Sequence, residues 1–488
     1  MLSIYTIFRE KYSIFQKTLI VLLLTRAIAA FINCFLPFDM PHVVRQTDTL
    51  AVAIRYWSRW VYESDAGTQI LPAVLNSGAS SGIMPMEFPF FGILTAPFFY
   101  FGPYWGKVLA GLFIWSIIIS LIIVNLRIWK NITVCGLSAF NAMLLFPMFS
   151  FSAPIGWRFM PDFISVQLCL IALGLTWEKN VYAKPFIVTT IGLLLKPISV
   201  LVFPLYIAHK NFWQKKNNLI WLIPAVGIGF LYYYKILSYI EKYREIPKNF
   251  GVHKDIGITF LKEYFYYFNE FLEFINYHAL FPFGLICSIL IISYFSFQER
   301  KILYFKIWFL ILVQLLLLAI LDGRHSFAHF YYAYSLSPSF CFIALATWKL
   351  LENRKNIYIK CIKIILVSLF IIRFYEIIYF DLRGLSAQRR ESSETPYADC
   401  IKLKNRNLDF PWNQGYVFKS DITEAPFLGV CFAERTNISS KVIQNSKIDI
   451  LDKQSHFYNY GFFTLNYPLP EQCRIVDKSG KVVLVKCN

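Results

Sequence analysis

Charge is scarce in this 488-residue chain. Asp, Glu, Lys and Arg together make up 16% of it, too little to cover the surface of a water-soluble protein of this size. Nucleic-acid signatures are missing too, because the net charge of +18 comes without a basic helix or an RNA-binding motif. There is no internal repeat and no low-complexity tract, which excludes solenoids and propellers. A cleavable signal peptide is also lacking. The first apolar stretch, Thr18 to Pro37, follows Arg9, Lys11 and Lys17 and is long enough to remain as a membrane span. Cysteine is sparse, and six of the ten (Cys34, Cys135, Cys169, Cys287, Cys341 and Cys361) lie in or beside apolar segments and read as ordinary buried thiols.

What the chain has in abundance is apolar and aromatic surface. It is 57% hydrophobic and 18% aromatic, with a mean hydropathy of +0.48, values that define a polytopic membrane protein. Its excess of Lys and Arg then belongs to cytoplasmic loops and to attraction for anionic lipid. The segment from Pro41 to Tyr104 is too polar and too interrupted by Gly and Pro to span, and is expected as a long loop on one membrane face. Within it, Val43, Leu50, Ile54 and Trp57 recur at helical spacing, which predicts a short surface helix with Arg45 and Asp48 one turn apart. Further on, Glu87 sits in the apolar run Met86-Glu87-Phe88-Pro89, where a carboxylate is costly without a partner or a task.

The expected spans are Gly106 to Leu126, Ile132 to Phe151, Phe163 to Leu175, Leu219 to Leu237, His278 to Phe295, Leu303 to Leu321, Tyr331 to Thr347 and Ile362 to Phe380. Between the third and fourth of these, Pro185 to Ala208 crosses twice as two short helices broken at Lys196-Pro197. A single span there would put His209, Lys210, Lys215 and Lys216 outside and invert every later basic loop. The fold class is therefore an all-α polytopic membrane protein of about eleven helices, N-terminus in the cytoplasm, with residues 1–380 as the membrane module. The stretch Phe260 to Phe274 reads as amphipathic.

Residues 381–488 form a β-rich, extracytoplasmic soluble domain. Gly415 to Lys419, Phe427 to Ala433 and Phe457 to Leu465 read as strands. A hairpin centred on Gly480 would set Cys473 opposite Cys487 and predicts a disulfide there. That leaves Cys400 for Cys431 and agrees with an oxidising compartment. Asn437-Ile438-Ser439 is a formal sequon that decides nothing.

On this topology the unusual polar residues gather at the outer face. Arg45-Gln46-Thr47-Asp48, Met86-Glu87-Phe88-Pro89, Met160-Pro161-Asp162, Leu195-Lys196-Pro197 and His329-Phe330-Tyr331-Tyr332 occur there in order. Together they make the first 380 or so residues resemble the GT-C membrane glycosyltransferases, in the bacterial branch similar to protein O-mannosyltransferases and aminoarabinose transferases. The resemblance implies transfer of a single sugar from a polyprenyl-phosphate donor to a lipid, glycan or protein acceptor outside the bacterial inner membrane, with no nucleotide-binding fold. It assigns Asp48 as catalytic base, with Glu87 as a second carboxylate in place of the adjacent acid that several relatives carry and Thr49 replaces. Lys196, Arg158, Arg45 and Arg324 are the candidate cations for the donor phosphate. Asp162, His329, Tyr331 and Tyr332 are the candidate substrate contacts.

Simpler roles exist for each: a surface pair of Arg45 with Asp48, a loop anchor for Glu87, a helix-dipole role for Asp162, and snorkelling for Lys196. His325 and His329 have metal-pair spacing without a third ligand, and the sequence leaves a divalent metal open and names no certain cofactor. A flippase or transporter of lipid-linked saccharide, or a polysaccharide polymerase or ligase, are the alternatives. Against a flippase, the ionisable residues collect at one face rather than forming a path.

Overall fold

The computed structural model describes residues 12–36, 49–50, 53, 56–57, 90–101, 103–148, 157, 160–178, 181–209, 212, 216–242, 284–298, 302–322, 334–352, 354–382, 399, 402–403, 406, 416–419, 460–464, 473–480 and 482–487. Its helices are α1 (Ile14–Asn33), α2 (Phe90–Thr95), α3 (Pro103–Trp129), α4 (Ala139–Leu145), α5 (Asp162–Glu178), α6 (Ala183–Leu195), α7 (Leu222–Lys242), α8 (Gly284–Gln298), α9 (Ile302–Asp322), α10 (Ser337–Glu352) and α11 (Ile357–Asp381). The segment Pro197–Ala208 is a 3-10 helix.

α5 is the centre of the bundle. It is buried on every side from Asp162 to Trp177 apart from the partly covered Leu168 and Leu175, as expected of a helix that is apolar all round. α3 packs against it through buried polar contacts: the Asn125 amide donates to the Gln167 carbonyl and side chain, and the Trp129 indole donates to the Leu170 carbonyl at 3.2 Å. α10 is buried along most of its length as well. The peripheral helices show the opposite pattern. Val21 and Ile28 on α1, Phe230 and Leu231 on α7, Phe309 and Leu316 on α9, and Ile364 and Ile372 on α11 are exposed. A helical protein that turns Ile, Leu and Phe outward over a polar-bonded interior is built for lipid. α1 and the stretch Trp105–Trp129 are each long and apolar enough to cross a bilayer.

The break at Lys196-Pro197 is present, and the chain reverses there. Ser199 meets Ser165 near the start of α5, and His209 meets the Trp177 carbonyl near its end at 2.9 Å. The segment 197–208 therefore runs parallel to α5 and antiparallel to α6. Twelve residues is long for a 3-10 helix, and Pro204 within it lacks an N–H. Gln314 of α9 supports it by donating to the Leu201 carbonyl at 2.6 Å. At the His209 end, the Cys135 thiol contacts the Ala208 carbonyl and Lys349 donates to the Gly136 carbonyl. Arg127, Lys130 and Arg354 belong to this same end, opposite the Lys196 end.

Several sequence expectations are corrected. Ile132 to Phe151 is not one span: β1 (Thr133–Val134) and β2 (Leu137–Ser138) pair across a Cys135–Gly136 turn before the seven-residue α4 begins. Ladder bonds and the Ser138 cap take the backbone groups that a longer helix would have used. In the first loop, Leu50, Ala53 and Tyr56 are helical and buried. Of the six span-associated cysteines, Cys135, Cys169 and Cys341 are buried, Cys34 is half-covered and Cys361 is exposed, while the Cys287 side chain lies outside the described residues. Burial pushes the Cys135 thiol up to about 12, so it stays protonated and unreactive.

The tail contains a four-stranded sheet of β3 (Tyr416–Lys419), β4 (Tyr460–Thr464), β5 (Cys473–Ser479) and β6 (Val482–Cys487) in the order β3-β4-β6-β5. The β5–β6 hairpin turns at Gly480 and sets Cys473 opposite Cys487 in register. The side chains of Cys473 and Cys487 lie outside the described residues, so the register carries the expected pairing only as far as the backbone. Cys400 and Cys431, the strand expected at Phe427 to Ala433 and the amphipathic stretch 260–274 lie outside the described residues.

Gly480 has φ +48, and a Cβ there would come within 2.3 Å of an Asp399 carboxylate oxygen. Gly480→Ala is expected to lower stability by more than about 1 kcal/mol through backbone strain alone, with the clash adding to it. Limited proteolysis of the tail checks this, and an unchanged cleavage rate would count against it.

Candidate functional site

Among the described residues, two charged pairs are buried in the bundle. The first is built at the chain reversal. Pro197 disfavours helical geometry in the residue before it, so α6 stops at Leu195 and Lys196 adopts φ −158, ψ 108. The Lys196 N–H still donates to the Gly192 carbonyl at 2.9 Å, and its own carbonyl accepts from the Ser199 N–H at 3.2 Å. Gly192 lets α6 approach α5 closely: a Cβ there would meet Cys169 Sγ at 3.1 Å and the Ser165 carbonyl at 3.2 Å. The close approach brings the Ser165 hydroxyl to 2.6 Å from the Gly192 carbonyl and 3.2 Å from that of Lys196.

From this break the Lys196 ammonium reaches to 3.6 Å from Oδ1 of Asp162. Asp162 opens α5 directly after Met160-Pro161, and the Pro161 carbonyl accepts the early helical bond from the Ser165 N–H. Its carboxylate is fully buried, and neither oxygen has a hydrogen-bond donor. At 3.6 Å Lys196 is a counter-charge rather than a hydrogen-bond donor. The positive end of α5 adds to its stabilisation.

The second pair joins α1 to α11. Nε of Arg26 on α1 lies 3.2 Å from Oδ2 of Asp381, the final residue of α11, and both side chains are inaccessible to solvent. The Arg26 guanidinium also sits 5.7 Å from the Trp157 ring centroid. Trp157 stacks on Phe163 at 6.4 Å, and Phe163 stacks on Phe146 at 5.2 Å. A row of rings thus runs from Arg26 to the residue following Asp162, so the two pairs share one aromatic wall.

Of the site residues expected from sequence, the structure brings Asp162 and Lys196 together. Arg45, Asp48, Glu87, Arg158, Arg324, His329, Tyr331 and Tyr332 lie outside the described residues, as does His325. Thr49, directly after Asp48, is buried, and so is Tyr334, two residues after Tyr332. The sequence reading missed Arg26, Asp381, Ser165, Ser199 and Tyr334. An arginine inside the apolar run of α1 was the available signal for the first, whereas the hydroxyl residues carry no sequence signal. Among the described residues, no three His, Cys, Asp or Glu side chains gather as a metal-binding group.

The helical bundle with its small β-rich tail is similar in fold to solved GT-C glycosyltransferases. Two crystal structures of one protein carry the likeness. ArnT from Cupriavidus metallidurans, an aminoarabinose transferase, superposes in its undecaprenyl phosphate-bound form with a TM-score of 0.52 at 10% identity, over 96% of this chain and 97% of that one. Its apo form gives 0.54 at 10% identity, over 97% and 98%. The oligosaccharyltransferase of Archaeoglobus fulgidus in its apo form gives 0.45 at 12% identity, over 93% of this chain and 70% of that one. No protein-family model and no curated protein matches the sequence.

Proposed function

We propose that the chain is an integral membrane glycosyltransferase that moves a single sugar from a polyprenyl phosphate to a lipid, glycan or protein acceptor on the outer face of the membrane. The observation that carries this is Lys196. A buried ammonium is fixed at a non-helical break, beside a carboxylate with no hydrogen-bond donor, at one end of a lipid-facing bundle. Buried charge in such a place is expensive and marks a site of function. The likeness to a protein whose structure contains undecaprenyl phosphate agrees with an anionic lipid as the ligand of that cation.

In this mechanism the acceptor oxygen attacks the anomeric carbon while the bond to the donor phosphate oxygen breaks, with inversion. Asp48 takes the acceptor proton, with Glu87 as the second carboxylate of the first loop. The departing polyprenyl phosphate gains negative charge, which Lys196, Arg158, Arg45 and Arg324 stabilise. Asp162, His329, Tyr331 and Tyr332 contact the substrate. The carboxylate of Asp162 is suited to this because its lone pairs are free to accept a sugar hydroxyl. The basic end carrying Arg127, Lys130, Lys349 and Arg354 faces the cytoplasm by the positive-inside rule, which puts the N-terminus inside. The Lys196 end and residues 381–488 are then outside, with residues 1–380 as the catalytic membrane module.

Purified protein in lipid should transfer label from a polyprenyl-phosphate sugar to an added acceptor. Asp48→Asn should reduce the rate by at least about 100-fold, the scale of general-base catalysis, without changing the thermal midpoint. Label that crosses the bilayer still attached to its lipid would instead establish a flippase.

A further inference from the structure

Ser165, Ser199 and Tyr334 come from three separate elements and meet inside the protein, each fully buried. Ser165 Oγ and Ser199 Oγ are 2.6 Å apart, and Ser199 Oγ is 3.1 Å from the Tyr334 hydroxyl. Carbonyls only accept, so the Ser165 hydroxyl donates towards the Gly192 and Lys196 carbonyls, and it is also the donor towards Ser199 Oγ. Ser199 and Tyr334 share the outer bond, in which either hydroxyl can donate. The line ends on the two carbonyls that flank the break.

We infer that Ser165, Ser199 and Tyr334 are positioning residues for the donor phosphate. The inference rests on the function proposed above. Lys196 has four rotatable bonds and a backbone that has left the helix, so its ammonium is placed only as well as its main chain is. The hydroxyl chain clamps that main chain to α5. Its far end, Tyr334, stands two positions after Tyr332 in the sequence. One network thus ties the Lys196 main chain to α5 and to Tyr334. Hydrogen-bonded chains of this kind reinforce one another in a low-dielectric interior. Tyr334→Phe removes the outer hydroxyl and keeps the ring, so the fold survives while the clamp loosens.

The test is titration of undecaprenyl phosphate into the full-length protein in lipid nanodiscs. Tyr334→Phe should weaken binding about ten-fold, the scale set by small misplacements of a positioned group, with little change in thermal midpoint. Ser199→Ala, which breaks the same chain one link further in, should do likewise and serves if the tyrosine variant does not fold. Added to Lys196→Met, neither change should weaken binding further, because each acts through Lys196. Native affinity in both single variants, or a loss that adds fully to that of Lys196→Met, overturns the inference and leaves the proposed function standing. A native protein that does not bind undecaprenyl phosphate overturns the proposed function, and the inference with it.

Discussion

Lys196→Met is expected to slow sugar transfer by at least about 100-fold, the cost of removing one preorganised group that stabilises developing charge. The same change leaves the Asp162 carboxylate buried beside no counter-charge. Removing one partner of a buried pair costs about 3–5 kcal/mol, so lost activity alone would not separate a catalytic role from a structural one. The paired variant Lys196→Met with Asp162→Asn separates them. It removes both charges at nearly constant shape and should recover most of the thermal midpoint seen by fluorescence-detected size exclusion. Transfer should stay low, since the buried cation of the phosphate site is gone. Recovery of both stability and transfer would make the pair a structural device and remove Lys196 from the donor site.

The second large effect is expected on stability. Arg26→Met strands Asp381, and Asp381→Leu strands Arg26. Either change should cost about 3–5 kcal/mol, because both side chains are inaccessible to solvent. The double variant should be far more stable than either single one, giving a strong interaction term in a double-mutant cycle. The measurement is the thermal midpoint in detergent for the native protein and the three variants. Additive losses would mean that the two groups do not stabilise each other. The pair closes the chain on itself, holding the last helix of the bundle to the first, and the Trp157 ring beneath Arg26 carries its packing on to Phe163 and the start of α5.

Much of the architecture was legible because it is local. A residue before proline is pushed out of helical geometry, so Leu195-Lys196-Pro197 announced its break, and the charge of later loops required the chain to reverse there. Asp477-Lys478-Ser479-Gly480 between two apolar runs announced a hairpin, with Gly480 in the left-handed region and Cys473 facing Cys487. Register brings the two cysteine backbones face to face, and their side chains lie outside the described residues. Ile132 to Phe151 misled because hydropathy does not separate a span from a tight hairpin followed by a short buried helix.

The sequence by itself determined that this is a helical membrane protein with a broken helix at Lys196, an acid at the head of α5 and a β-hairpin at its C-terminal end, since apolar period, proline geometry and turn chemistry act over a few residues. Only the tertiary structure decided which charges meet. Arg26 and Asp381 are 355 positions apart, and Ser165, Ser199 and Tyr334 look like any small polar or aromatic residues in apolar runs until three elements converge. Burial turns these groups into partners, because a polar side chain removed from water must find its complement wherever the fold brings one.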